Sequence, residues 1–180
     1  TVSVSAVNDA PAIDLDANNS GGTGGNNYAA GFTEGGGAVA IVDSTDLTVT
    51  DVDSANLQSA TITITNLQNG TDEVLAVTTV PAITATYTPA TGVLSLTGNA
   101  TLADYQTVLR TLTYDNSSNS PGTTARIINV VVNDGTANST VAVSTVSVTG
   151  SNDTPTLDLD TDDSGGTGGN DYATTFTEGG

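Results

Sequence analysis

Three groups of oxygen-bearing side chains stand out by type and spacing. The first is Asp51-Val52-Asp53, directly after a threonine-rich strand pattern. In an extended D-x-D both carboxylates project to one side, about 7 Å apart at Cα, which suits one hard cation or two adjacent ones. Asp134, in Val132-Asn133-Asp134-Gly135, ends another strand pattern, and the glycine after it permits a tight turn. The second group is Asn8-Asp9-Ala10-Pro11, which recurs as Asn152-Asp153-Thr154-Pro155. Proline cannot donate to a ladder and ends pairing there, leaving a carbonyl and a carboxylate in a hinge. The third is Asp14-x-Asp16-x-Asn18-x-Ser20-Gly21, which recurs as Asp158-x-Asp160-x-Asp162-x-Ser164-Gly165. Donors at positions 1, 3 and 5 match the first half of a calcium loop of the EF-hand type. Position 6 departs from it, with Asn19 or Asp163 in place of glycine, and no Glu stands at position 12. The following Gly-Gly-Thr-Gly-Gly lets the backbone fold back, so that Asn26, Asn27, Asn170 or Asp171 can close the shell.

Composition narrows the chemistry further. The 180 residues hold 17 Asp, 3 Glu, two arginines (Arg110 and Arg126) and no Lys, His or Cys, for a net charge of -18. Two cations cannot replace the counterions around nucleic-acid phosphates, and an anionic membrane surface repels the chain. No apolar run of 18 residues is present, so no membrane insertion is expected. Without Cys or His there are no disulfides, thiolate nucleophiles or usual transition-metal sites. A glycosidase of paired carboxylates needs aromatic platforms for sugar, and the chain has no Trp and 5 Tyr. No enzyme is expected. Hard oxygen donors suit calcium, with several ions expected. The bland alternative is turn chemistry, since Asn and Asp cap turns without any metal. The charge and the recurrence of the whole set favour calcium.

These groups need strands to position them. The apolar residues are mostly Val, Ile, Leu and Ala, threonine is very frequent, and 20 Gly serve as punctuation, which reads as all-β with many short strands. Alternation predicts strands at Ala12 to Leu15, Ala38 to Val42, Leu47 to Thr50, Ser59 to Thr65, Glu73 to Thr78, Ala85 to Tyr87, Val93 to Thr97, Arg110 to Tyr114, Ala125 to Val132 and Ser139 to Thr149. Thr1 to Ser5 reads as another. Leu102, Tyr105, Val108 and Leu109 have helical spacing, and Thr101 with Asp104 resembles a capping box, so one short helix is expected over 102–109. The expected fold is a Greek-key antiparallel β-sandwich.

Residues 1–36 recur as residues 145–180, with 24 of 36 positions identical and no gap. A period of 144 residues fits whole domains in tandem rather than solenoid rungs. The expected organisation is the last strand of a preceding repeat at 1–6, one full repeat at 7–150 with a calcium-loop insert at 14–27, and the junction and start of the next repeat at 151–180. The chain starts without Met and without a signal peptide, and reads as a piece of something longer.

The junction motifs resemble cadherin-like repeats, Ig-like sandwiches found in giant bacterial surface adhesins of the RTX type that leave the cell by the type I pathway. Asn8-Asp9-Ala10-Pro11 and Asn152-Asp153-Thr154-Pro155 look like the N-D-x-P linker, Thr50-Asp51-Val52-Asp53-Ser54 like the D-x-D turn, and Val132-Asn133-Asp134-Gly135 like the closing segment. Val74-Leu75, Gly92 to Leu96 and Tyr105 to Asn116 also look like the bacterial version. The resemblance spans residues 7–153. It implies that Asn8, Asp9, Asp51, Asp53 and Asp134 hold calcium at the N-terminal junction, and Asn152 and Asp153 at the C-terminal one. Glu34 matches the acidic residue near the first strand, behind the insert. With the loop residues Asp14, Asp16, Asn18, Asp158, Asp160, Asp162 and Asp171, these form the expected ligand set. The resemblance further implies an extracellular, monomeric extender whose partners are calcium and neighbouring repeats of the same chain. A carbohydrate- or ice-binding sandwich is the alternative, suggested by Thr61-Ile62-Thr63-Ile64-Thr65.

Overall fold

The computed structural model describes residues 7–163 and 168–178. The expected strand at Thr1 to Ser5 lies outside them. Among these residues eleven strands and one α-helix follow in order, with one 3-10 turn at Gly70–Asp72: β1 (Ala12–Asp14), β2 (Tyr28–Thr33), β3 (Val39–Ala40), β4 (Thr48–Thr50), β5 (Asn56–Ile64), β6 (Glu73–Ala76), β7 (Thr84–Thr88), β8 (Val93–Thr101), α1 (Leu102–Leu109), β9 (Thr113–Asn116), β10 (Arg126–Asn133) and β11 (Ala142–Thr149). The fold is an all-β sandwich with one short helix.

The main sheet has six strands in the order β2-β11-β10-β5-β8-β7, faced by a three-stranded sheet β3-β9-β6, while β1 and β4 pair at one end. Chain neighbours are seldom sheet neighbours, as in Greek-key connections. All pairs are antiparallel except β2 with β11, which run parallel. Alternation on β10 sends Ile128, Val130 and Val132 inward, opposite the buried Ile64, Ile62 and Ala60 of β5. Each Ile or Val buried in this way contributes about 1.5–3 kcal/mol. Phe32 of β2 meets Tyr114 of β9 edge to face, with centroids 5.4 Å apart, and so joins the two sheets. The β5–β8 register shifts between Leu57 and Ser59. Gly98 sits opposite that shift with φ +142, and a Cβ there would lie 2.0 Å from the Ala82 carbonyl oxygen.

The helix forms where its spacing predicts it. The Asp104 amide donates to Thr101 Oγ1 at 3.1 Å and the Thr101 amide donates to Asp104 Oδ2 at 3.3 Å, closing the capping box. Its inner face, Tyr105, Val108 and Leu109, is fully buried. Burial pushes the Tyr105 hydroxyl up to about 12. Arg110 still donates its amide to the Gln106 carbonyl, so the strand expected from Arg110 starts only at Thr113. β2 had no counterpart among the expected strands. Its sequence, YAAGFT, interrupts alternation with Gly31, and only β11 supplies the edge it pairs with.

Both arginines are used internally. Arg110 donates from Nε and Nη2 to the Leu47 carbonyl at 3.1 and 2.9 Å. Arg126 is buried and pairs with the equally buried Glu73. The Gln68 and Asn69 amides and the Tyr114 hydroxyl also donate to Glu73, at 2.7, 3.0 and 2.7 Å. Burial alone raises the Glu73 carboxyl, but Arg126 and these donors outweigh it, and the net displacement is downward. A buried pair this fully hydrogen-bonded is costly to break from one side.

Candidate metal centres

Among the described residues one trio of carboxylates converges, and two further sets of acidic residues lie at the junctions. The first lies where the loop after β1 meets the turn between β3 and β4. One carboxylate oxygen from each of Asp16, Asp43 and Asp46 lies within 4.8 Å of the others. Asp16 is fully buried. Its Oδ1 accepts from the Ser20 amide at 2.9 Å and its Oδ2 from the Gly21 amide at 2.6 Å. The Ser20 hydroxyl bridges the two segments, donating to Asp43 Oδ2 at 2.9 Å. Asp46 Oδ2 accepts from the Asn18 amide at 2.8 Å, while Asp46 Oδ1 is buried with no donor. Donors from Thr45, Ser20 and Asp46 hold the Asp43 carboxyl down at about 2, so it stays ionised across the ordinary pH range. The Tyr28 phenol is pushed up by burial and by Asp43 and Asp16, which places it against the same charges. Gly21 is needed here, because a Cβ would lie 2.8 Å from the Tyr28 ring and 2.9 Å from Asp16 Oδ2.

Of the two carboxylates at positions 1 and 3, only Asp16 belongs to this trio. Asp14 Oδ1 accepts from the Asp16 amide at 3.0 Å, and Asn18 Oδ1 accepts from the Ser20 amide at 2.8 Å. Both oxygens shape the loop. Asn19, at the position where an EF-type loop has glycine, takes φ 56, the left-handed turn that asparagine tolerates better than most residues. Asp43 and Asp46, in the turn between the expected strands Ala38 to Val42 and Leu47 to Thr50, were not among the expected ligands. Their signal is the D-x-x-D spacing between two short strands.

The second group is the N-terminal junction. Asn8 Nδ2 donates to Asp134 Oδ2 at 2.9 Å, and the Asp9 amide donates to Asp53 Oδ2 at 3.1 Å. Three separated segments are thereby drawn together. The D-x-D is bent rather than extended, because Asp51 Oδ1 accepts from the amides of Asp53 and Ser54 at 3.1 and 2.9 Å. Asp51 Oδ2 is buried with no donor. The amides of Ala137 and Thr136 and the Asn8 side chain lower the Asp134 carboxyl.

The third group lies at the other end. Glu34 Oε2 accepts from the Ser151 amide at 2.7 Å, and Glu34 Oε1 is buried with no donor. Glu34 therefore stands at the junction after β11. Asn152 Nδ2 donates to the Asp153 carbonyl at 3.1 Å, as Asn8 does to Asp9 at 2.8 Å. The second loop repeats the first: Asp158 Oδ1 accepts from the Asp160 amide at 2.9 Å, and Asp163 takes φ 53. Asp162 and Asp171 lie in the same loop, whereas Ser164 and Gly165 lie outside the described residues.

All donors in these groups are oxygens, and each group holds a buried carboxylate oxygen that no hydrogen-bond donor reaches. The converging trio Asp16, Asp43 and Asp46 has the donor chemistry that a hard cation takes. Elsewhere, a cleft of about 450 Å³ beside the β1–β4 pair is lined by Asp14, Asn26, Thr48, Thr50 and Thr140 among others, with no aromatic wall. Thr61 and Thr63 of β5 face away from the core, alternating with the buried Ala60, Ile62 and Ile64. No family model, curated protein or solved structure matches the chain.

Proposed function

We propose that this chain is a calcium-binding extender repeat of a large bacterial cell-surface adhesin, stiffened by calcium at its junctions to hold a distal adhesive domain away from the cell. The calcium reading rests on one observation above all. Asp46 Oδ1, Asp51 Oδ2 and Glu34 Oε1 are buried without a donor, one in each acidic group. An unpaired buried carboxylate oxygen is costly, and a cation coordinating it removes that cost. The adhesin part rests on the junction motifs, whose spacing resembles cadherin-like repeats.

Asp16, Asp43 and Asp46 would hold one ion, with Ser20 bridging the two segments. Asp51, Asp53, Asp9, Asn8 and Asp134 would serve the N-terminal junction, and Glu34 with Asn152 and Asp153 the C-terminal one. Calcium takes 6–8 oxygens in flexible geometry, whereas magnesium demands an octahedron and keeps its waters. Calcium should therefore bind far better than magnesium. Binding to the folded form alone stabilises it by about 2.7 kcal/mol per site at 100-fold excess over Kd. The test is a calorimetric calcium titration of the chain, with a thermal melt in EDTA as its counterpart. Heat uptake at several sites and a melting temperature many degrees lower in EDTA are expected. No uptake and an unchanged melt would sink the reading.

A further inference from the structure

Asn69-Gly70 is the one Asn-Gly pair in the sequence. Glycine carries no Cβ to keep its nitrogen away from the side chain before it. In an open chain that nitrogen can attack the asparagine Cγ and close a five-membered succinimide ring. The pair lies between β5 and β6, at the start of the turn that leads into Glu73, and belongs to none of the acidic groups.

The fold keeps the two reacting groups apart. Asn69 Oδ1 accepts from Arg126 Nη2 at 2.9 Å, from Asn116 Nδ2 at 3.1 Å and from the Gly122 amide at 3.2 Å. The Asn69 amide donates to Glu73 Oε2 at 3.0 Å, and the Asn69 carbonyl accepts from the Asp72 amide at 3.2 Å. Side chain and backbone are thus pinned separately. Asn69 has φ -111 and ψ 18. Ring closure needs the Gly70 nitrogen eclipsed with Cβ about the Cα–C bond, and at this ψ the two stand far from eclipsed. The ring forms only after this segment has left both Arg126 and Glu73.

We propose that Asn69-Gly70 is a self-modification site that the fold keeps closed, and whose product cannot rebuild the Glu73–Arg126 network. When the segment opens, the Gly70 backbone nitrogen gives up its proton and bonds to Asn69 Cγ. The Cγ–Nδ2 bond breaks and ammonia leaves. Water then opens the ring at either carbonyl, leaving aspartate or isoaspartate at position 69. Each product brings a carboxylate beside the fully buried Glu73, whose cation Arg126 is already paired. A second anion there is left uncompensated, which is costly in a buried site. Isoaspartate also lengthens the backbone by one carbon just ahead of the turn Gly70–Asp72 that delivers Glu73. An opening that is reversible at first therefore becomes permanent with time spent open. This inference stands on the Glu73–Arg126 network and does not depend on the calcium reading.

The test incubates the full chain at mildly alkaline pH, folded in buffer and unfolded in urea, and follows Asn69 by peptide mass mapping. Deamidation changes the mass of its peptide, whereas isomerisation at Asp134-Gly135 does not. Conversion of Asn69 is expected to be faster in the unfolded chain by roughly tenfold or more, because the folded rate scales with the open population. Gly70→Ala should slow the unfolded reaction markedly. Gly70 has φ +57 and open space where a Cβ would stand, so this variant adds strain but no clash. Wild type aged in urea and returned to buffer should unfold at a lower urea midpoint than unaged wild type, while aged Gly70→Ala should keep the midpoint of its own unaged form. Equal rates in the folded and unfolded chain, no slowing by Gly70→Ala, or an unchanged midpoint once Asn69 has converted overturns the inference.

Discussion

The two copies of the repeated segment form a natural experiment. Residues 8–34 and 152–178 share most of their Asp, Asn, Gly and Pro punctuation, and in both the carboxylate of Asp14 or Asp158 accepts a hydrogen bond from the amide two residues on. One copy is sealed into a sandwich and the other exposes its apolar residues. Conformation here is local, set by side chain to backbone bonds within the loop. Burial and any shared charge cluster are not local, since they need β11, β9 and the Asp43–Asp46 turn.

The largest expected difference between the copies is in stability. Phe32→Ala should cost about 3–5 kcal/mol and Leu15→Ala about 2–5 kcal/mol in urea denaturation. Phe176→Ala and Leu159→Ala should stay within about 0.5 kcal/mol. Equal costs in the two copies would show that the second is packed after all. Next comes metal binding. Asp16→Asn should weaken calcium at one site at least tenfold by calorimetry, about 1.4 kcal/mol, and Asp160→Asn should change the titration far less. The Asp51→Ala/Asp53→Ala double variant should lower calcium stoichiometry while circular dichroism stays that of a folded β protein.

Acid separates the copies in a third way. Glu73 titrates below its ordinary 4.5 in the folded body, so the unfolded chain binds more protons once pH falls under that value. Its stabilising contribution is complete above pH 4.5 and declines toward the lowered folded value. Urea midpoints should be flat above pH 5 and fall below 4.5, and Glu73→Gln should flatten that fall. Fluorescence from Tyr172, already exposed, should not follow this transition. The smallest effect lies in the loop itself. Asn19→Ala forces a left-handed conformation on a residue that resists it and should cost about 1 kcal/mol. Asp163→Ala, in a loop outside the sandwich, should leave the global melt unchanged and alter only amide exchange nearby.

Much of the scaffold was legible because its signals are short-range. Ile62 and Ile64 share a face by strand geometry alone, and Thr101 with Asp104 marks a helix start before any tertiary contact exists. β2 escaped because Gly31 interrupts its alternation and its partner lies more than a hundred residues away. The D-x-D misled in its geometry, since Asp51 turns back to cap its own backbone.

By itself the sequence determined the all-β class, the helix, the repeat and the chemical character of the donors, all oxygen, because each depends on residue type and on neighbours a few positions away. Only the tertiary structure decided which donors meet. Asp16 finds Asp43 and Asp46 because β1 and β4 pair and bring their flanking loops together. Glu34 ends at Ser151 because β2 runs parallel to β11 and both chains leave the sheet at the same end. Glu73 and Arg126, far apart in the sequence, become one buried pair through the approach of β6 and β10. Such meetings are fixed by strand order and register, and these emerge only when the whole core closes.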